Sequence, residues 1–347
     1  MHTHRLARRL SVVSAAALAA ATLSVAPAQA APVFTVSDLD VSSGVHDDAS
    51  CTENPGAVIS PDVDNQPVTE NGAPVTATSS ASGSVTDGAT DTQTGASNIS
   101  VTASVSSTGT TLKSMELATQ GSVSITNTVA DSTCDIHVWS EADLDFTFTV
   151  AQAGFLTVVE KSRGGAYSEI YLEANLPPSS PYHQQYNEGI SIDSSKVLYL
   201  PAGTYSGYFY GEFGRSQDSA VSFSGNTSMK ATFAVAGSQS AATAGKGAKY
   251  LTFADSARNC GTDTVTGAVT SNKGRAKKIT QVTVFVNGAK KAKVKNPGKG
   301  EAVVLSGIAD GVDADIRAVV KLEKKANGKP RKPVEVTASY VACSPSA

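Results

Sequence analysis

Carboxylates are the residues of this chain whose type and spacing could do chemistry. They recur in close pairs at Asp38/Asp40, Asp47/Asp48, Asp62/Asp64 and Asp143/Asp145. A glycosidase needs two carboxyl groups about 5–9 Å apart across a cleft. An i, i+2 pair on a strand approaches that separation, but nothing in the sequence selects one pair, and solvated acids are the simpler reading. Asp62-Val63-Asp64-Asn65 offers oxygens to calcium yet lacks the glycine and distal glutamate of an EF-hand loop. Nucleophilic catalysis has less support. Beyond residue 30 only His46, His137 and His183 are available as bases, and no Gly-x-Ser-x-Gly elbow occurs. His137 has Cys134, Glu141 and Asp143 nearby in sequence, but strand spacing keeps those side chains from converging. The expectation is a binding or surface-interaction protein rather than an enzyme, with no cofactor and no metal. A purely structural extracellular protein and a carboxylate-based hydrolase are the alternatives.

Tyrosine supplies a second candidate. Eight of the ten tyrosines fall between Tyr167 and Tyr210. Leu200-Pro201-Ala202-Gly203-Thr204 reads as a turn between two strands. Alternation then puts Tyr205, Gly207, Phe209, Gly211 and Phe213 on one face and Ser206, Tyr208, Tyr210 and Glu212 on the other. The first set is the natural core face. Tyr208 and Tyr210, with Tyr199 on the preceding strand, are left as a candidate ligand platform. Outward tyrosines offer a sugar ring an apolar face and a hydroxyl at low entropy cost. The competing reading covers both faces, the second by the long loop with Tyr182 and Tyr186.

Lysine supplies a third. Lys277 and Lys278, then Lys290, Lys291, Lys293 and Lys295, fall in turns or at strand ends, as do the basic residues between Lys324 and Lys332. Clustered, they form a candidate polyanion patch. No aromatic residue is interleaved, so no nucleic acid is expected. An extracellular polysaccharide or an anionic cell-wall polymer is the partner to expect. Lysines that only solubilise the chain and guard strand edges are the other reading.

Charge divides the chain. Residues 31–245 carry 6 Lys and Arg against 23 Asp and Glu, a net of −17. Residues 246–347 carry 19 against 8, a net of +11. The four cysteines, Cys51, Cys134, Cys260 and Cys343, permit three pairings. Both successive intervals are 83 residues, and pairing Cys51–Cys134 and Cys260–Cys343 keeps each bridge on its own side of the charge boundary. An oxidising destination favours such bridges. Residues 1–30 supply that destination. Arg5, Arg8 and Arg9 precede an apolar stretch from Leu10 to Val25, and Ala28-Gln29-Ala30 is a small-x-small cleavage site. A signal peptide, a mature chain from Ala31 without a transmembrane segment, and a secreted, extracellular location are expected.

Many short alternating runs with turn residues between them predict an all-β protein of sandwich type. Leu144, Phe146, Phe148 and Val150 form one clean strand face, Ile99, Val101, Ala103 and Val105 another. Residues 31–235 are expected to form an acidic jelly-roll-like β-sandwich, 236–250 a linker, and 251–347 a basic, smaller β-sandwich. Phe146-Thr147-Phe148-Thr149-Val150, Gly154-Phe155-Leu156-Thr157-Val158 and Leu200-Pro201-Ala202-Gly203-Thr204-Tyr205 resemble the bacterial pre-peptidase C-terminal type of domain, over residues 141–235. The resemblance implies a jelly-roll-like sandwich of the kind attached to secreted enzymes, some members of which bind calcium or polymeric substrates. This sequence lacks the family's aspartate-rich turn, so the calcium site is not carried over. The basic module resembles an immunoglobulin-like sandwich in strand count and spacing, with its disulfide expected between first and last strands rather than between sheets. That likeness is architectural and implies no function.

Overall fold

Small apolar residues alternating with hydroxyl residues dictate the strands of the N-terminal half, because a period of two lines one face with Val, Ile and Ala and the other with Ser and Thr. The computed structural model describes residues 33–47, 51–54, 56–87, 91–129, 134–192, 194–217 and 220–346. The expected signal peptide and its cleavage point lie outside the described residues.

The acidic half contains β1 (Phe34–Asp47), β2 (Thr52–Glu53), β3 (Val58–Ile59), β4 (Val63–Pro67), β5 (Val75–Thr86), β6 (Thr92–Thr108), β7 (Thr111–Asn127), β8 (Ile136–Val150), β9 (Gly154–Arg163), β10 (Tyr167–Ala174), the short helix α1 (His183–Asn187), β11 (Ile190–Ile192), β12 (Lys196–Leu200), β13 (Gly203–Gln217) and β14 (Val221–Val235). Two antiparallel sheets result. One runs β11-β10-β13-β8-β1-β4, the other β12-β9-β14-β7-β6-β5-β2, with β3 also on β5. Their inner faces share one core, which holds Leu39, Ile99, Val101, Met115, Leu144, Phe146 and Phe148. Tyr205, Phe209 and Phe213 are all buried in it, on the face that alternation assigns them.

Close approach of the sheets depends on a glycine. A Cβ placed on Gly121 would come within 2.7 Å of the Phe213 ring, so the ring occupies the space a side chain would take. Buried hydroxyls pair rather than stay bare. Thr119 and Thr227 Oγ1 lie 2.7 Å apart, and Ser43 and Ser140 Oγ 2.7 Å apart, as burial of a polar group requires.

The basic half has its own core. It contains β15 (Gln239–Ala244), β16 (Leu251–Phe253), β17 (Val265–Val269), the turn of helix α2 (Lys273–Ala276), β18 (Ile279–Val286), β19 (Ala289–Lys295), β20 (Ala302–Leu305), β21 (Ala314–Leu322) and β22 (Val334–Tyr340). A five-stranded sheet, β15-β22-β21-β18-β19, faces a three-stranded one, β16-β17-β20. Asn287 and Gly288 both have positive φ in the β18–β19 turn, the conformation an Asn-Gly hairpin needs.

Two expectations about the chain are corrected, the linker and the placement of the second disulfide. Residues 236–250 contain β15, which pairs with β22, so the segment expected to be a linker is partly an edge strand; its Ser, Ala and Gly content hid it. Ahead of Asp48 the 14-residue β1 lies between β8 and β4. The long loop carries α1; its end, Gly189, lies against the Tyr171 ring on the outer face, while its helix packs on the core. There Tyr186 is buried, donates to the Tyr199 carbonyl at 2.8 Å, and sets its ring edge-on to Tyr205 at 5.5 Å. Both expected disulfides are present, Cys51–Cys134 and Cys260–Cys343, with Cα–Cα distances of 5.5 and 5.6 Å. The second does not join first and last strands. Cys260 lies between β16 and β17, and Cys343 beyond β22.

Closing a loop over a separation of 83 residues is worth about 4 kcal/mol in the chain-entropy model. Cys51→Ser/Cys134→Ser is therefore expected to lower stability by about that amount in denaturant titration. Phe213→Ala, which opens a cavity against Gly121, is expected to cost about 3–5 kcal/mol.

Candidate functional site

Every second residue of β1, β8, β13 and β10 points away from the core, and the register decides which ones meet. Asp38 stands opposite Asp145, and Asp40 opposite Asp143. On the other side of β8, Tyr208 faces Asp145, Tyr210 faces Asp143, and Glu212 faces Glu141. β10 extends the rows, with Tyr171 beside Tyr208, Glu169 beside Tyr210 and Tyr167 beside Glu212. The outer face of this sheet is thus a lattice of carboxylates and tyrosines. Its six strands contain one Lys or Arg, Arg215 near the end of β13.

The lattice has an acidic half and an aromatic half. On β1 and β8, Asp38, Asp40, Glu141, Asp143 and Asp145 stand side by side. Like charges directly opposite each other destabilise a strand pair. Partial burial pushes the Asp143 carboxyl up to about 7, helped by Asp145, Glu141 and Asp40. Asp145 is raised by the same partial burial and by Asp40 and Asp38. Few neighbours relieve the crowding. Asp40 accepts the Asn65 backbone N–H at 2.5 Å, and Glu141 accepts the Ser42 hydroxyl at 2.9 Å.

On β10 and β13 the rings of Tyr171 and Tyr208 stack, with centroids 5.4 Å apart and planes at 17°. Tyr167 meets Tyr210 edge to face at 6.1 Å. Tyr171 donates to Glu173 at 3.0 Å and Tyr167 to Glu169 at 3.3 Å. The Tyr210 hydroxyl lies 2.9 Å from Glu141 and 3.0 Å from Glu212; burial first, then these two carboxylates, keep it protonated. Tyr167 is more than half exposed. At the end of the aromatic half a cavity of about 300 Å³ is lined by Glu173, Ala174, Asn175, Asn187, Thr204 and Ser206. Its size falls at the lower end of small-molecule sites, and its lining sets amide and hydroxyl groups beside a carboxylate.

Trp139 closes the other end of the face. Its ring lies over Gly44, where a Cβ would come within 2.0 Å of it. His46 and His137 are paired in register and lie 4.9 Å apart, each 5.3 Å from Trp139. His137 thus stacks in an aromatic cluster and is not brought onto Glu141 or Asp143.

Of the three tyrosines singled out by sequence, Tyr208 and Tyr210 share this face and Tyr199 does not. Tyr199 is on β12, at the edge of the other sheet, against Phe155 at 5.3 Å and Tyr182 at 5.5 Å. The expected trio fails because β12 and β13, though joined by a tight turn, belong to different sheets. Tyr171, Glu169 and Glu173 take Tyr199's place. Their i, i+2 spacing was visible; their partner strand was not. The six candidate lysines also divide. Lys290, Lys293 and Lys295 lie along β19. Lys291 reaches the Gly307 carbonyl at 2.7 Å. Lys277 lines a separate cavity of about 530 Å³ with Lys273 and Lys299, and Lys278 follows it in the chain. The paired acids Asp143 and Asp145 stand on an open sheet face, not across a cleft. Among the described residues no group of three or more His, Cys, Asp and Glu side chains is placed to hold a metal ion, and no helix is long and apolar enough to cross a membrane.

Set against family models, curated proteins and solved structures, the chain has no match. The resemblance of residues 141–235 to the pre-peptidase C-terminal type of domain therefore rests on its short motifs alone.

The raised Asp143 carboxyl gives a sign for pH dependence. A carboxyl raised in the folded state stabilises the fold while both states are protonated, and that contribution is lost as pH rises from the unfolded value, about 4, through the folded value of about 7. Asp143→Asn is expected to raise the melting temperature at about pH 8 and to leave it little changed at about pH 4. Thermal melts across that range check both limits.

Proposed function

We propose that the protein is a non-catalytic, extracellular binding protein for a polysaccharide, with the aromatic half of the six-stranded sheet as its ligand face. The observation that carries this reading is the stacked Tyr171–Tyr208 pair beside a polar cavity that Glu173 lines. Aromatic rings pack against the C–H faces of sugar rings, and a carboxylate accepts hydroxyl protons in charge-assisted bonds. Asn175, Asn187, Thr204 and Ser206 add the donors and acceptors that orient a sugar. The two disulfides fit an oxidising compartment, and the signal-like residues 1–30 fit export.

A structural role is the second reading. It is favoured by the tyrosine hydroxyls of Tyr167, Tyr171 and Tyr210, which are already held by glutamates on the same face.

Co-sedimentation with insoluble polysaccharides separates the two. Wild type is expected to be retained by at least one, and Tyr171→Ala/Tyr208→Ala to weaken retention about tenfold, a loss of about 1.4 kcal/mol. Glu173→Gln is expected to weaken it less. Retention that the double variant leaves unchanged contradicts the proposed face. No retention on any polysaccharide favours the structural role.

A further inference from the structure

The acidic half of the lattice is left unused by the polysaccharide reading, and it sets like charges against each other. Two aspartate pairs face each other directly across β1 and β8. An ordinary sheet surface places opposite charges in such positions. A local choice that opposes the stability of the fold points to a functional surface.

The counter-charge is present elsewhere in the same sequence. The outward face of the five-stranded sheet carries Lys290, Lys293 and Lys295 on β19, and Arg317 and Lys321 on β21. Lys293 is opposite Thr283, and Lys295 opposite Gln281, which also faces Lys321. Arg317 lies over the Phe285 ring at 4.6 Å and pairs with Glu335 at 2.8 Å. All five basic residues are exposed. Both faces are antiparallel sheets, so their charges repeat with one period. Glu141, Asp143 and Asp145 on one strand, and Lys293 and Lys295 on the other, are spaced about 7 Å apart along the chain. Within one molecule these charges do not meet. The three ion pairs among the described residues, Lys230–Glu116, Arg258–Asp310 and Arg317–Glu335, each stay inside their own sandwich.

We infer that the β1/β8 acidic face docks the β19/β21 basic face of a second copy of this chain. The two surfaces differ, so the contact is heterologous. Each copy offers one acidic and one basic face, and association runs head to tail, to open chains or a closed ring. The inference needs the acidic face to be a binding surface but not the sugar site, which is carried by β10 and β13. It therefore stands or falls separately from the polysaccharide reading.

Complementation between two full-length variants tests it. One carries Asp38→Asn, Asp40→Asn, Asp145→Asn and Glu141→Gln. The other carries Lys290→Gln, Lys293→Gln, Lys295→Gln and Lys321→Gln. Circular dichroism and melting curves verify that both fold. Sedimentation velocity at about 20 mM salt, where charges are weakly screened, is the readout. Each variant alone is expected to be monomeric. Their equimolar mixture is expected to form a dimer and nothing larger, since only one complementary pair of faces survives. Wild type is expected to form a concentration-dependent series that dissolves at about 0.5 M salt. A mixture that stays monomeric overturns the inference. So does a wild type that stays monomeric at low salt, whether or not an anionic polymer retains it.

Discussion

Strand β8 lies between β1 and β13, and its register with them fixes the chemistry of the molecule's acidic sheet. Because side chains alternate with a period of two, a slip of one residue would send every outward residue inward. The core forbids that slip. Leu144, Phe146 and Phe148 are buried from β8, Leu39 and Val41 from β1, and Tyr205, Phe209 and Phe213 from β13. Once these are inside, Asp143 and Asp145 must be outside, opposite Asp40 and Asp38. The like-charge contacts follow from hydrophobic burial, which outweighs them. A fully buried Phe or Leu contributes about 1.5–3 kcal/mol, against about 0.2–1 kcal/mol for a cross-strand pair.

The same constraint separates the surface into regions with different properties. Tyr167, Tyr171 and Tyr210 donate to glutamates two residues away on their own strands, which fixes their rings and lowers the entropy lost on contact with a ligand. Aspartates on β1 and β8 lack comparable partners among the described residues, and Asp143 and Asp145 are pushed toward protonation. The basic sandwich sets Lys290, Lys293, Lys295, Arg317 and Lys321 on one face of its five-stranded sheet, where Arg317 pairs with Glu335. A net of −17 followed by +11 along one chain divides the two signs of charge between the two sandwiches.

Much of the fold was legible in the sequence because it rests on local periodicity. The core face of β13, the strand faces of β6 and β8, the all-β class and both disulfides follow from alternation and from cysteine placement beside the charge boundary. What was not legible depends on pairing across the chain. β15 has the composition of a linker and becomes a strand because β22 presents an edge to it. Tyr199 is close to Tyr208 in sequence, but the turn at Pro201–Ala202 crosses from one sheet to the other. The Asp38–Asp145 and Asp40–Asp143 contacts join residues about a hundred positions apart, and no local pattern encodes them. The carboxylate pairs were visible as i, i+2 repeats; that two of them would face each other was not.

The outer face of this sheet, divided between aromatic and acidic halves, is the proposed recognition surface. Amide chemical-shift mapping of the full chain with a soluble oligosaccharide, at a salt concentration high enough to suppress charge pairing, tests it most directly. Perturbations are expected to gather on Tyr167–Glu173 and Thr204–Tyr210, with the β1/β8 aspartates and the β19 lysines unaffected. Perturbations confined to the Tyr199 edge or to the basic sandwich would contradict it.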